Sequence, residues 1–109
     1  MNERHENEIG ILLQEMAEYM NRFKEGHVHV EVAKDDDEGE IYYIADIFVH
    51  GYVDQEDGTT DVRSRSFEIG YSNDLADAES MAKKGHETIA KLCKAANFEL
   101  NEKIEYTDY

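Results

Sequence analysis

Residues 27–71 read HVHVEVAKDDDEGEIYYIADIFVHGYVDQEDGTTDVRSRSFEIGY, and the period of the apolar residues in this stretch decides the fold. In His27-Val28-His29-Val30-Glu31-Val32 the valines share one face and the polar residues the other, the two-residue period of a half-buried strand. Lys34 to Glu40 (KDDDEGE) is predicted as a turn, with Gly39 free to take positive φ. Ile41 to Val53 (IYYIADIFVHGYV) is the longest β-like run. Its residues Ile41, Tyr43, Ala45, Ile47 and Val49 face one side, and Tyr42, Ile44, Phe48 and Tyr52 face the other. Apolar side chains on both faces mark a central strand. Asp54 to Asp61 (DQEDGTTD) is a second turn, followed by a third strand, Val62 to Tyr71, with Phe67, Ile69 and Tyr71 on one face. Three strands with short connections predict an antiparallel meander.

Outside the meander the period changes to 3.6. Residues 3–25 read as an amphipathic helix with Ile9, Leu12, Leu13, Met16, Met20 and Phe23 on its apolar stripe, widened by Ala17 and Tyr19. Glu3, Glu6 and Glu8 suit its positive end, Lys24 its last turn, and Gly26 a C′ position. A second helix follows the strands. Ser72, Asn73 and Asp74 are candidate N-caps, Asp77 lies in the first turn, and Asn97 is the expected end. Its stripe is Ala78, Met81, Ala82, Gly85, Ile89, Leu92, Cys93 and Ala96. Gly85 on that stripe predicts close approach to the sheet, since glycine costs a helix ~1 kcal/mol relative to alanine. The segment 98–109 is expected as a short edge strand or a loose tail. The fold class is therefore α+β: one domain in α-β-β-β-α order, with two helices packed against one face of the sheet.

With 109 residues, a second core would leave each half too small to be stable. No stretch approaches the ~20 apolar residues of a membrane span, and residues 1–8 do not resemble a signal peptide. The single Cys93 cannot form an internal disulfide, so a cytoplasmic setting is expected.

Charge is the most informative compositional feature. There are 26 acids against 11 Lys and Arg, for a net charge of −15. Residues 1–26 carry −3, residues 27–80 carry −12, and residues 81–109 sum to zero. From Asp35 to Asp61 there are ten acids and not one Lys or Arg. They gather mainly in the two turns at opposite ends of the central strand, which as a 13-residue strand spans ~43 Å when extended. Such a chain is not expected to bind nucleic acid or anionic lipid directly, because basic residues must neutralise phosphates. A charge of −15 also exceeds the magnitude of ~2–8 that solubility asks of a small domain, and self-repulsion on this scale opposes folding.

Motifs for chemistry are sparse. His27, His29 and Glu31 line one strand face, where imidazoles can share a metal, and His50 on the central strand can join them. Their spacing resembles part of the cupin motif, H-x-H followed by a carboxylate. Here the carboxylate comes too early, the glycines are missing and the chain is too short for that barrel. The expected reading is a solvated strand face, with no metal and no cofactor. Neither acidic turn has the register of an EF-hand loop. Cys93 reads as a core residue. Ser64 and Ser66 have no nucleophile elbow around them, so no enzymatic activity is expected.

The α-β-β-β-α order is similar to that of double-stranded-RNA-binding domains, and Lys83-Lys84 resembles their basic helix start. The likeness covers topology alone, because those domains need a basic face and this chain is acidic through its strands and turns. In size, charge and compactness the chain looks like the small acidic anti-restriction and anti-CRISPR proteins of phages. That likeness of character implies a nucleic-acid mimic, an inhibitor that occupies the basic nucleic-acid-binding site of another protein such as a nuclease complex. Asp35, Asp36, Asp37, Glu38, Glu40, Asp54, Glu56 and Asp57 are the expected partner-binding residues, with Tyr42 and Tyr52 adding packed area. Two alternatives stand beside it: a protein-interaction module that forms a homodimer through its sheet face, and a metal-dependent enzyme built on His27, His29 and Glu31.

Overall fold

The predicted meander is present in the computed structural model, which describes residues 3–108 and their side chains from Gly10 onward. The elements are α1 (Glu3–Met20), β1 (Gly26–Asp37), β2 (Glu40–Asp54), β3 (Thr60–Ser72), α2 (Leu75–Ala96), β4 (Phe98–Leu100) and β5 (Glu105–Asp108). β1, β2 and β3 pair antiparallel in sequence order, and β4 and β5 both pair parallel with the other edge of β1. The tail is thus two short strands rather than a loose end. Among the described residues, no helix is long and apolar enough to cross a membrane.

Both helices cover one face of the sheet. The residues beneath them are Val28, Val30 and Val32 of β1, Ala45, Ile47 and Val49 of β2 and Phe67 of β3. Met16, Tyr19 and Met20 of α1 and Ala78, Ala82, Ile89 and Cys93 of α2 close the core from above. Leu12, Leu13 and Phe23 pack at its margin, as their place on the predicted stripe requires, while Ile9, Glu3, Glu6 and Glu8 fall among side chains outside the described set. Asp74 is the N-cap of α2, its carboxylate accepting from the Ala76 N–H, and Asn97 ends the helix in the left-handed region at φ 59°. Gly85 meets the sheet as predicted: a Cβ there would lie 2.5 Å from Ile69 Cδ1.

Four boundaries differ from the sequence expectation, each for a physical reason. First, α1 stops at Met20, five residues before the predicted end. Arg22 N–H donates to Tyr19 O and Phe23 N–H to Met20 O, tightening the last turn, and the Phe23 ring turns back onto Tyr19 at 5.2 Å. Second, Gly26 is not a helix cap but the first residue of β1, opposite Gly51.

Third, the turn expected over Lys34 to Glu40 shrinks to Glu38-Gly39. Both residues have positive φ, 52° and 87°, the signature of a two-residue type I′ hairpin. That turn requires its flanks to pair, so Asp35 lies opposite Tyr42, Asp36 opposite Ile41 and Asp37 opposite Glu40. The three aspartates therefore belong to a strand, not a loop.

Fourth, β3 carries a bulge where its register shifts beside Ala45 and Asp46. Glu68 faces Asp46 and Gly70 faces Ala45, which leaves Ile69 as the extra residue. Phe67 and Ile69 point to the helices as expected, but the bulge sends Tyr71 to the opposite face, where its ring meets Tyr42 edge-on at 5.9 Å. Gly70 fills the space beneath Met81, and a Cβ there would lie 2.6 Å from the sulfur.

Candidate functional site: the bare sheet face

Among the described residues no helix covers the second face of the sheet, and the register states what that face holds. The residues alternating with Val28, Val30 and Val32 are His27, His29, Glu31 and Ala33, continued by Asp35 and Asp37. Their partners on β2 are His50, Phe48, Asp46, Ile44, Tyr42 and Glu40, and Tyr52 lies on the same face two residues beyond His50. β3 adds Val62, Ser64, Ser66 and Glu68, and the edge strands add Glu99 beside His27 and Glu105 beside Glu31.

Two features organise this face. The first is a row of four carboxylates, Glu105, Glu31, Asp46 and Glu68, each directly opposite the next across β5, β1, β2 and β3. Neighbouring strands lie ~4.8 Å apart, and like charges directly opposite destabilise a sheet. Burial, followed by the charges of Glu68 and Glu31, pushes the Asp46 carboxyl up to about 6. The folded state therefore holds its proton more tightly than the unfolded chain does. The stability linked to that proton is complete below the ordinary carboxylate range and is lost as pH rises through about 6. Replacing Asp46→Asn is expected to stabilise the protein at pH ~7.5 by about 1 kcal/mol, a figure lowered for the half-exposed position, and to have no such benefit at pH ~4. Urea unfolding at both pH values measures it.

The second feature is a stack of histidines. His27 and His50 face each other across the ladder with ring centroids 4.4 Å apart, His29 and His50 stand at 5.1 Å, and Phe48 stacks on His29 at 4.8 Å. His50 Nδ1 is 2.6 Å from Ser64 Oγ, and His50 Nε2 is 3.2 Å from His29 Nδ1. His27 Nδ1 is 2.7 Å from the Tyr52 hydroxyl. His29 Nε2 is 3.7 Å from carboxylate oxygens of both Glu31 and Glu105. Burial, then the neighbouring His27 and His29, holds the His50 imidazole below its ordinary pKa.

The acids singled out from sequence occupy both ends of this face. Asp35, Asp37 and Glu40 lie on it at the first hairpin, with the Tyr42 hydroxyl donating to Glu40. Asp36 points to the other side, its carboxylate accepting from Gly39 N–H, and Glu38 occupies the turn itself. At the far end, Asp54 closes β2, Glu56 lies in the second turn, and Asp57 accepts from both the backbone and the hydroxyl of Thr59. Those bonds hold the Asp57 carboxyl below its usual range. Tyr42 and Tyr52 both lie on the bare face. Cys93 is buried, and its thiol is pushed up to about 11, as suits an inert core residue.

The cations of the sheet half are on the opposite side. Lys34 lies opposite Tyr43, Arg63 opposite Gly51 and Arg65 opposite Val49, all positions that face the helices. Arg65 lies over the Phe67 ring at 4.6 Å and near Glu15 of α1. Among the described residues, no Lys or Arg of β1 to β5 points to the bare face.

Sequence reading finds the two acidic ends and names His50 as able to join His27 and His29, but it misses the row of carboxylates between the ends. The signal for Asp46 and His50 is present, because counting back from a two-residue turn at Glu38-Gly39 aligns Glu31 with Asp46 and His27 with His50. Glu105 has no such signal, since a parallel edge strand after a loop carries no register in its own sequence. No known protein family matches the chain, and no curated protein or solved structure is significantly similar to it.

Proposed function

We propose that this protein is a non-catalytic acidic binding protein that lays its bare sheet face and two hairpin tips into the basic, nucleic-acid-binding groove of another protein. The observation that carries the reading is the segregation of charge. The three basic residues of the sheet half all point to the helices, which leaves an elongated face with carboxylates at both ends and in a row across its middle. The molecule measures 48 Å along its longest axis. Duplex DNA presents one charge per ~1.7 Å of axis and turns once per ~34–36 Å, so a groove shaped for about one and a half turns of phosphate backbone matches this length. Tyr42, Tyr52 and Tyr71 supply aromatic area of the kind enriched at interfaces. A nuclease or another nucleic-acid enzyme of the cytoplasm is the target class this surface suits.

Like charges crowded on one face cost the fold stability, which favours a surface whose charge is used. The same crowding weighs against a homodimer through this face, because a two-fold interface sets the patch against its own copy and so faces carboxylates with carboxylates. Capture from a bacterial lysate on immobilised protein tests the reading. The retained protein is expected to be basic and nucleic-acid-binding, and to be released as salt rises, since attraction between exposed charges is largely screened beyond a Debye length, ~10 Å at 0.1 M and shorter at higher salt. Retention that ignores salt contradicts it.

A further inference from the structure

The histidine stack at the centre of the bare face is not used by the acidic-surface reading and stands independently of it. One ring nitrogen from each of His27, His29 and His50 lies within 4.8 Å of the other two. We propose that these three imidazoles form a transition-metal site, with Zn²⁺ as the cation that fits the donor set and with a coordination position left open toward solvent.

Four observations support it. The first is convergence. His50 Nε2 and His29 Nδ1 are 3.2 Å apart, and two nitrogens bound to a tetrahedral ion at ~2.0–2.1 Å stand ~3.3 Å from each other. Rotation of the imidazole rings closes the wider gap to His27.

The second is support behind each ring. A ligating imidazole commonly directs its other nitrogen to an acceptor that fixes its orientation. Here Tyr52 Oη stands 2.7 Å from His27 Nδ1, Ser64 Oγ stands 2.6 Å from His50 Nδ1, and Glu31 and Glu105 stand 3.7 Å from His29 Nε2. This arrangement assigns Glu31 a supporting place behind His29 and gives the third ligand position to His50. The third is rigidity. His27 and His50 are directly paired in one ladder and His29 follows two residues on, so the backbone holds all three.

The fourth is charge. The row of Glu105, Glu31, Asp46 and Glu68 begins beside His29, and a dication placed there offsets carboxylates that otherwise repel one another. The donors are what select the metal. Imidazole nitrogens favour Zn²⁺ and its first-row neighbours, whereas Ca²⁺ and Mg²⁺ take oxygen ligands.

The test titrates Zn²⁺ into the chelator-stripped full chain by calorimetry, with the imidazole NMR signals followed in parallel. One equivalent is expected to bind and to raise the melting temperature, as any ligand of the folded state does. Three imidazoles are expected to shift while His86, whose ring bonds the Asn101 carbonyl elsewhere, does not. His29→Gln and His50→Gln, checked for folding by circular dichroism, are expected to weaken binding by about 100-fold or more, and Tyr52→Phe by about 10-fold. Asp35→Asn with Asp37→Asn and Glu40→Asn is expected to leave it unchanged. The proposal is overturned if no saturable uptake occurs or if His86 shifts together with the other three. It is equally overturned if the asparagine variant loses the metal while the glutamine variants keep it, the pattern of ions held by exposed acids.

Discussion

Reversing the first hairpin tip with Asp35→Lys, Asp37→Lys and Glu40→Lys is expected to slow association with a basic partner by about 10- to 100-fold at low salt. The three residues lie on the bare face at one end of the β1–β2 pair, where a long-range field is felt before contact. Charges at the rim of an interface act mainly on the encounter, so dissociation is expected to change less than association. The deficit is expected to narrow as salt rises, because screening removes the steering that the wild type enjoys. Glu18→Lys with Glu87→Lys, two exposed acids on the helices, is the control, and its association rate is expected to stay close to wild type. Stopped-flow or surface-binding kinetics across a salt series read the difference directly. None of the reversed side chains contributes to the buried core, so the variant is expected to fold.

The second large effect concerns the glycine pair where β1 and β2 meet beside the histidines. Gly26 and Gly51 are directly paired at the start of β1. A Cβ on Gly26 would overlap the His50 carbonyl oxygen and the Phe98 ring, and a Cβ on Gly51 would overlap the Phe23 ring. A side-chain clash can be relieved by a rotation, but a clash with a backbone carbonyl requires the strands to part. Gly26→Ala is therefore expected to cost about 3 kcal/mol, at the upper end of overpacking effects and a large fraction of a small domain's stability. Gly51→Ala is expected to cost less, about 1–3 kcal/mol, because Phe23 can move. Gly10 has open space around it on α1, so Gly10→Ala is expected to gain up to ~1 kcal/mol from helix propensity alone. Urea midpoints of the three variants give the ranking. Any loss at Gly26 is also expected to disturb His27 and His50, which are its immediate neighbours in sequence and in the ladder.

These two glycines show where sequence reading reaches its limit. Gly85 is legible because it interrupts an otherwise apolar helical stripe, and a gap on a buried face means close packing. Gly26 follows a helical period and so reads as a cap. Only the early closing of α1 at Met20 moves it into the sheet, and that depends on Phe23 folding back over Gly51. The strands themselves are legible because Val28, Val30 and Val32, and then Ala45, Ile47 and Val49, keep a strict two-residue period. The aspartates of 35–37 mislead, since their local preference is for turns, while the pairing enforced by Glu38-Gly39 holds them extended. Tyr71 changes face because one extra residue in β3 inverts everything beyond it, and nothing in the local sequence announces that bulge.

The candidate site divides the same way. Its ends are legible as runs of like charge, whereas its centre is assembled from four strands and needs the register to be seen. His29 meets His50 and Glu31 meets Asp46 only once the hairpin is closed. The sequence-level charge of −15 then resolves into a direction, with acids on one face and the sheet's own cations turned to the other.

Competition by duplex DNA for the captured target shows whether this protein occupies the groove that nucleic acid uses. With the immobilised protein holding its partner at low salt, a short duplex is expected to displace that partner in proportion to its concentration, and the lysine-reversed hairpin is expected to hold much less of it. A partner that binds duplex DNA and this protein simultaneously, or that the reversed hairpin holds as well as the wild type does, contradicts the account.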